Sequence, residues 1–315
     1  MTTEFLIGNK SSGQIFEVSN CAQTVSWETE RTGSPGKFTS SLVGPVTVEV
    51  GDVVRFSVDG QLQFYGWVFN VSKNRWNETD ITCYDRLRYL KASASYAFYA
   101  QTAGEIIRQI AGDFQLTTGI LEDTGFPIPS LVEQDQTCLD IIGAAVQQTL
   151  LNTGRVFIFF DDGDGLALRE AGGMISPVVL GESSLLTDYT DETDIDQQTY
   201  NSVKLTRPNE ETGRTDVYIA QDSSSIAGWG LLQLTQSVDG DVNEAQIQAQ
   251  AEATLAYYNR PMRNLSLTAL GVPGLRAGMM VYVNLPDLQQ FVMLEKVSHT
   301  WENDAHTMEI ETLTL

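Results

Sequence analysis

Gly51-Asp52-Val53-Val54-Arg55-Phe56-Ser57-Val58-Asp59-Gly60-Gln61-Leu62-Gln63-Phe64-Tyr65-Gly66-Trp67-Val68-Phe69-Asn70-Val71-Ser72 reads as a β-hairpin. Val54, Phe56 and Val58 alternate with other residues at the period of a half-buried strand. Asp59-Gly60 supplies the positive φ angles that a two-residue hairpin turn requires, and an aromatic-rich strand returns through Phe64 to Val71. The same grammar recurs near the C-terminus. Gly278 stands 13 positions before Phe291, as Gly51 stands 13 before Phe64. Val-Ser follows each aromatic, at Val71-Ser72 and Val297-Ser298, and a tryptophan follows that, Trp76 or Trp301. The spacing slips by one residue between aromatic and Val-Ser, and again before the tryptophan. Such a repeat implies one β-module used twice; two unrelated hairpins of similar make-up are the alternative.

Outward from the first copy, Val46, Val48 and Val50 alternate in the same way, and Thr32-Gly33-Ser34-Pro35-Gly36-Lys37 has loop chemistry. Residues 1–90 are therefore expected to form a small antiparallel barrel or sandwich. The period then changes. Thr102-Ala103-Gly104-Glu105 has capping-box spacing, and Ile106, Ile107, Ile110, Ala111 and Phe114 follow at helical intervals. A second helix is expected from Thr137, with Leu139, Ile142, Val146 and Leu150 inward, stopping at Asn152-Thr153-Gly154. A strand over 155–160 and the turn Asp161-Asp162-Gly163-Asp164-Gly165 complete a small α+β domain, 91–175. Gly181 to Gln198 carries Glu182, Asp188, Asp191, Glu192, Asp194 and Asp196 without one basic residue, so 176–200 reads as a solvated acidic connector. Strands are expected over 201–205, 216–220, 281–285 and 308–312, and an Ala/Gln-rich helix over 243–259 that Pro261 ends. Residues 201–315 thus read as a second β-module with one helix attached. The fold class is α+β and β-dominated.

The chain has 315 residues, 41 acidic against 19 basic, for a formal charge of −22. That balance excludes a nucleic-acid grip by surface charge, which needs Lys and Arg to displace counterions, and argues against an anionic membrane as partner. An apolar content of 42% is too high for a disordered acidic chain. No stretch is long and apolar enough for a membrane span, and Met1 to Lys10 lacks the pattern of a leader. Cys21, Cys83 and Cys138 are too dispersed for a disulfide framework or a zinc knuckle. Reduced, mostly buried thiols and synthesis in a reducing cytoplasm are expected.

Three places could carry chemistry. His299 and His306 flank Trp301 and Asn303-Asp304, where a nearby carboxylate could complete a metal site; exposed polar residues of a hairpin are the plainer expectation. Asp161 to Gly165 resembles the start of a calcium loop, but Leu166 stands where a ligand should and no closing glutamate follows, so a β-turn is favoured. Asp188 to Asp196 could bind calcium, but a solvated charge run is commoner. No nucleophile elbow or phosphate loop occurs, and two histidines in one hairpin leave little from which to build a triad. No catalytic, cofactor-binding or metal residue is assigned.

Cys83-Tyr84-Asp85-Arg86-Leu87-Arg88-Tyr89-Leu90-Lys91 resembles the tail-hub proteins of defective prophages, the XkdQ or YqbQ family. The resemblance extends to Ala103-Gly104-Glu105-Ile106-Ile107, to the Thr137 helix with its following strand, and to Asn201-Ser202-Val203. Gly228-Trp229-Gly230-Leu231-Leu232 and Asn259-Arg260-Pro261 continue it. It implies two tube-protein-like β-barrels per chain with the α+β domain between them. It also implies a homotrimer that matches a six-fold tail tube to a three-fold central spike, and that forms part of the channel without catalysis or cofactor. The partners implied are tail tube and spike proteins, other baseplate proteins of wedge or LysM type, and a tape-measure protein, with no stable nucleic-acid binding and no membrane insertion. The place implied is the bacterial cytoplasm during assembly, then the baseplate of a released phage or bacteriocin particle. A carboxylate-lined channel would repel a passing polyanion. Rival readings are a carbohydrate-binding β-module using the tryptophans and tyrosines as platforms, and a peptidoglycan hydrolase.

Overall fold

The computed structural model describes residues 1–196, 198–209, 213–238 and 242–313. Two bodies are distinguished, one of residues 1–190 with 265–313 and one of residues 191–264.

Seven strands open the chain: β1 (Thr3–Gly8), β2 (Ile15–Glu17), β3 (Ala22–Glu30), β4 (Lys37–Val43), β5 (Val53–Val58), β6 (Gln61–Lys73) and β7 (Glu78–Tyr84). They lie in the order β3-β4-β7-β6-β5-β1-β2. Asp59 and Gly60 sit at φ 47° and 80° in the β5–β6 turn, the geometry their residue types favour. Alternate side chains close one core, in which Phe38 stacks on Phe64 at 4.8 Å and meets Phe5 edge-on at 5.3 Å.

The middle section runs β8 (Ser93–Gln101), α1 (Ala103–Asp113), β9 (Thr118–Leu121), β10 (Ile128–Thr137), α2 (Cys138–Thr153), β11 (Phe157–Asp161) and β12 (Leu166–Glu170). The α1 capping box forms: the Glu105 amide donates to Thr102 Oγ1, and the Thr102 amide donates to Glu105 Oε2 at 2.8 Å. Helix α2 starts under Thr137 and ends on Gly154 at φ 70°, where a left-handed residue is easiest for glycine. Its buried stripe is Cys138, Leu139, Ile141, Ile142, Ala145 and Thr149, whereas Val146 and Leu150 are only half-buried. The helix is apolar around more than one face, so spacing alone misplaced the stripe. The sheet β11-β12-β9 buries both faces. Phe157, Leu166 and Leu168 turn toward the helices, and Ile158, Phe160 and Ala167 toward Met174 and Met293.

The chain continues as β13 (Ile175–Gly181) and β14 (Leu186–Asp194), so the supposed acidic connector is mostly strand. Strand β14 carries no strand signature in the sequence because Thr187 to Glu192 are all exposed, leaving no apolar alternation. The stretch 201–315, read as one module, divides. Its first part is β15 (Ser202–Asn209), β16 (Arg214–Gln221), α3 (Ser223–Trp229), β17 (Gln233–Ser237) and α4 (Glu244–Tyr258). These form a small body of their own, where Ile247 and Ala251 of α4 cover Val203, Leu205 and Ala220 of the sheet β16-β15-β17. Asn243 and Gln246 cap α4 reciprocally. The last strands, β18 (Met262–Leu270), β19 (Met280–Leu285), β20 (Leu288–Glu302) and β21 (Ala305–Leu313), join β13 and β14 in the order β14-β18-β21-β20-β19-β13 around a second core.

The repeat is visible in the backbone. Gly51 (φ 89°) donates to the Val68 carbonyl at 2.8 Å, and Val68 donates to Asp52 at 2.9 Å. Gly278 (φ 87°) donates to Leu294 at 2.8 Å, and Leu294 donates to Met279 at 2.9 Å. A β-bulge follows at once in each copy, between Val68 and Asn70 and between Leu294 and Lys296. The Gly44 amide donates to the Asn77 carbonyl as the Gly271 amide does to His306. Strands β4–β7 thus correspond to β18–β21, and the first copy alone has a further bulge at Gln63. That extra residue is the slip in spacing, and it corrects the alignment. Phe291 pairs with Tyr282 and corresponds to Tyr65, not to the buried Phe64; it is 49% exposed rather than a core aromatic. The tryptophans do not correspond either, since Trp301 is buried in β20 and Trp76 lies in the β6–β7 turn. The flanking strands differ in direction, β1 antiparallel to β5 but β13 parallel to β19.

Candidate functional site

Strand β20 outruns β19, and its residues Lys296–Glu302 pair antiparallel with Glu30–Thr24 of β3. The two lobes thereby share one eight-strand run, β14-β18-β21-β20-β3-β4-β7-β6. Alternation sends one face of it into the two cores and leaves the other polar. On that polar face Thr307, Thr300, Ser26, Thr39 and Thr82 form one register row across both lobes. Acids predominate on it: Glu28, Glu30, Glu78, Asp80, Glu302, Glu309 and Glu311 against Lys37 and Lys296. Lys296 Nζ lies 3.1 Å from Glu28 and 3.5 Å from Glu30. The Ser41 hydroxyl donates to Asp80 at 2.6 Å and that of Thr24 to Glu302 at 3.3 Å. The face is therefore negative, with few apolar side chains to hold a passing chain.

Behind the β20–β3 joint lies an aromatic stack. The His299 ring is parallel to Trp27 (5.2 Å, 15°) and to Trp301 (5.3 Å, 16°), and His306 stacks on Trp301 at 4.4 Å. His299 is buried and His306 half-buried, so neither is the exposed hairpin residue the sequence suggested. The reason is the reach of β20, which carries His299 inward between Val297 and Trp301. His299 Nε2 faces the Leu275 carbonyl at 2.7 Å and must carry the proton there. Its Nδ1 then accepts from His306 Nε2 at 2.9 Å. Burial, with His299 adding to it for His306, pushes both imidazoles down to about 4 from 6.5. A depressed histidine stabilises the fold above its unfolded value and loses that contribution as pH falls. Thermal unfolding is therefore expected to move to lower temperature between about pH 6.5 and pH 4. A His306→Gln variant should show a flatter acid limb over that window, and an unchanged limb would refute the assignment.

A second buried cluster pins the middle section to both lobes. Arg86 Nη1 donates to Asp161 Oδ1 and Oδ2 at 2.8 and 3.0 Å, and the Arg86 amide donates to Oδ2 at 2.9 Å. The amides of Gly36 and Leu87 donate to Asp85, which is 5% exposed. Arg276, between β18 and β19, donates to the Asp161 carbonyl at 2.8 Å and lies over Phe160. Burial first, then the Asp161 charge, pushes the Asp85 carboxyl up to about 8, against the Gly36 amide, Arg276 and the Leu87 amide. Gln63, the bulge residue, accepts from the Gly274 amide at 2.7 Å beside a cavity of about 110 Å³ that Asp85 and Arg276 also line. The Cys83–Lys91 and Asp161–Gly165 stretches stand out in the sequence, but nothing in their order shows that Arg86 and Asp161, 75 positions apart, meet.

Asp161 to Gly165 closes the β11–β12 hairpin. Asp162 Oδ1 accepts from the Asp164 and Gly165 amides at 3.0 and 2.9 Å, and Asp161 is engaged by Arg86. In the acidic stretch, Asp191 pairs with Arg263 through two hydrogen bonds. Among the described residues no group of three or more His, Cys, Asp or Glu is arranged to hold a metal ion. Cys83 and Cys138 are buried and Cys21 half-buried. Of the five tryptophans, only Trp76 is mostly exposed, at 67%, and among the described tyrosines Tyr99 is 64% exposed. No helix among the described residues is long and apolar enough to cross a membrane.

The profile of a protein family described as YqbQ-like matches residues 25–313. The chain is 32% identical over 303 residues to the uncharacterized protein YqbQ of Bacillus subtilis strain 168, covering 92% of this chain and 91% of that one. It is 33% identical over 303 residues to the phage-like element PBSX protein XkdQ of the same strain, covering 93% and 92%. Among solved structures, the tail protein from Neisseria meningitidis MC58 aligns with a TM-score of 0.76 at 15% identity, over 100% of this chain and 97% of that one. An Escherichia coli type VI secretion component, c3393, aligns with a TM-score of 0.55 at 11% identity, over 93% and 73%. That protein is described as structurally similar to the T4 bacteriophage tail proteins gp27 and gp5. At such identities the likeness establishes a shared fold.

Proposed function

The chain belongs to the YqbQ-like family, and from that membership we propose that it is a structural hub subunit of a phage-like contractile tail. Three copies, each contributing two corresponding lobes, present six lobes to a six-fold tube and three chains to a three-fold spike. The observation that carries this reading is the Gly51/Gly278 framework, repeated down to its bulge, in two lobes sharing one sheet. One chain then occupies two neighbouring places of a six-fold ring, and three copies close it without free sheet edges. The polar face of the shared sheet lines the channel, where its acids keep a polyanion from adhering. On this reading the role is mechanical, not catalytic, and the partners are the tail tube, the central spike, wedge or LysM-type baseplate proteins and the tape-measure protein. Assembly in the bacterial cytoplasm precedes residence in the particle's baseplate. The test is the native mass of the purified chain, alone and with tube and spike proteins. A species of three times 34.7 kDa that captures both is expected; a monomer at high concentration that ignores both would refute it.

A further inference from the structure

The joint inside the chain specifies where its counterpart between chains should lie. In the second lobe, the end of β20 beyond β19 lends its free edge to β3 of the first lobe. In the first lobe, β6 likewise outruns β5: β5 pairs no further along β6 than Trp67, so among the described residues one edge of Asn70–Lys73 has no strand beside it. The strand of the second lobe in the place of β3 is β14, which ends the sheet beyond β18. It is a nine-residue edge strand with seven residues in succession exposed, an open template for pairing that folded proteins normally cover.

Resting on the trimeric reading, we infer that the free edge of β6 pairs antiparallel with β14 of a second copy, repeating the β20–β3 joint between chains. The register follows from the repeat. Within the chain His299 faces Trp27 and Trp301 faces Val25. Lys73 corresponds to His299, because Val71 corresponds to Val297, and Arg75 follows in the β6–β7 turn, two residues on, as Trp301 follows His299. The Leu270 amide donates to the Leu185 carbonyl and the Thr187 hydroxyl to the Thr268 carbonyl, so Thr190 and Asp188 of β14 take the places of Trp27 and Val25. Lys73 therefore faces Thr190 of the next copy, and Arg75, in the turn just beyond, comes within reach of Asp188. The chemistry agrees with the geometry. The joint within the chain is apolar and stacked on its core side and ion-paired on the other, where Lys296 meets Glu28 and Glu30; the joint between chains sets Lys73 and the β6–β7 turn residue Arg75 against an acidic strand, with the exposed Trp76 beside it. Charged pairs at the rim select the right partner and keep single subunits soluble before assembly.

The experiment joins Lys73→Cys with Thr190→Cys in one chain, oxidises the full-length protein with copper phenanthroline, and compares it with the unsubstituted chain. Native mass is measured in parallel. Covalent trimers on a denaturing gel are expected only from the double variant. A native trimer that gives no cross-link would overturn this joint and leave the trimer standing; a monomer would overturn both. As a second arm, Arg75→Glu should weaken the trimer at least tenfold, and Arg75→Glu with Asp188→Arg should restore it. Failure of the exchange to restore it would also count against the pairing.

Discussion

Arg86→Met will cost about 3–5 kcal/mol of folding stability, the usual penalty for leaving one member of a buried ion pair without its partner. The side chains of Arg86 and Asp161 are 12% and 2% exposed. Methionine keeps the stem's packing but withdraws the guanidinium that donates to both Asp161 oxygens and to the Gly163 carbonyl. Asp161 would retain only the Arg86 and Gly163 amides. Adding Asp161→Asn removes the stranded charge, so the double variant should lose less than the sum of the single losses. Arg155→Met supplies the contrast: its pair with Glu170 is 42% and 37% exposed, and a loss below about 1 kcal/mol is expected. Denaturant unfolding of the four variants checks the series, and equal losses at Arg86 and Arg155 would contradict it.

Trp301→Ala should be of similar size, about 3–5 kcal/mol for a buried aromatic removed from a packed site. Trp301 meets Phe56 of the first lobe edge-on at 4.9 Å while standing on a strand of the second. Its loss opens the joint and admits water to His299 and His306, so both imidazoles should move up from about 4 toward their ordinary value. Histidine ring titration by NMR reads that second effect, which a general loosening elsewhere would not produce. Trp76→Ala should change stability by no more than about 0.5 kcal/mol, since an exposed turn residue has little packing to lose. Equal costs at the two tryptophans would restore the equivalence that their spacing suggests and the backbone denies.

What the sequence disclosed was local. Asp59-Gly60, the Thr102/Glu105 box, the Thr137 start, the Gly154 stop and the end of α4 are all set within a few residues, where side chains bond to their own backbone. The repeat could be read as well, but only to within the bulge at Gln63. One inserted residue reverses the side of every later side chain in a pairing, so Phe291 was matched to Phe64 instead of Tyr65. The joint was hidden because residues 24–30 and 296–302 meet only in the folded chain. One signal could have revealed His299: it stands between Val297 and Trp301 at strand alternation, on the side those residues bury. The edge strand β14 left no such trace. A strand with water on both faces needs no apolar period, and its acids read as loop.

Imaging the chain in complex with a tail tube protein, at a resolution that traces single strands, tests the proposed hub role most directly. Three chains should give six lobes around the axis, first and second copies alternating, with Glu28, Asp80 and Glu309 turned inward. A ring built of six chains, or one in which that polar face looks outward, would contradict the account.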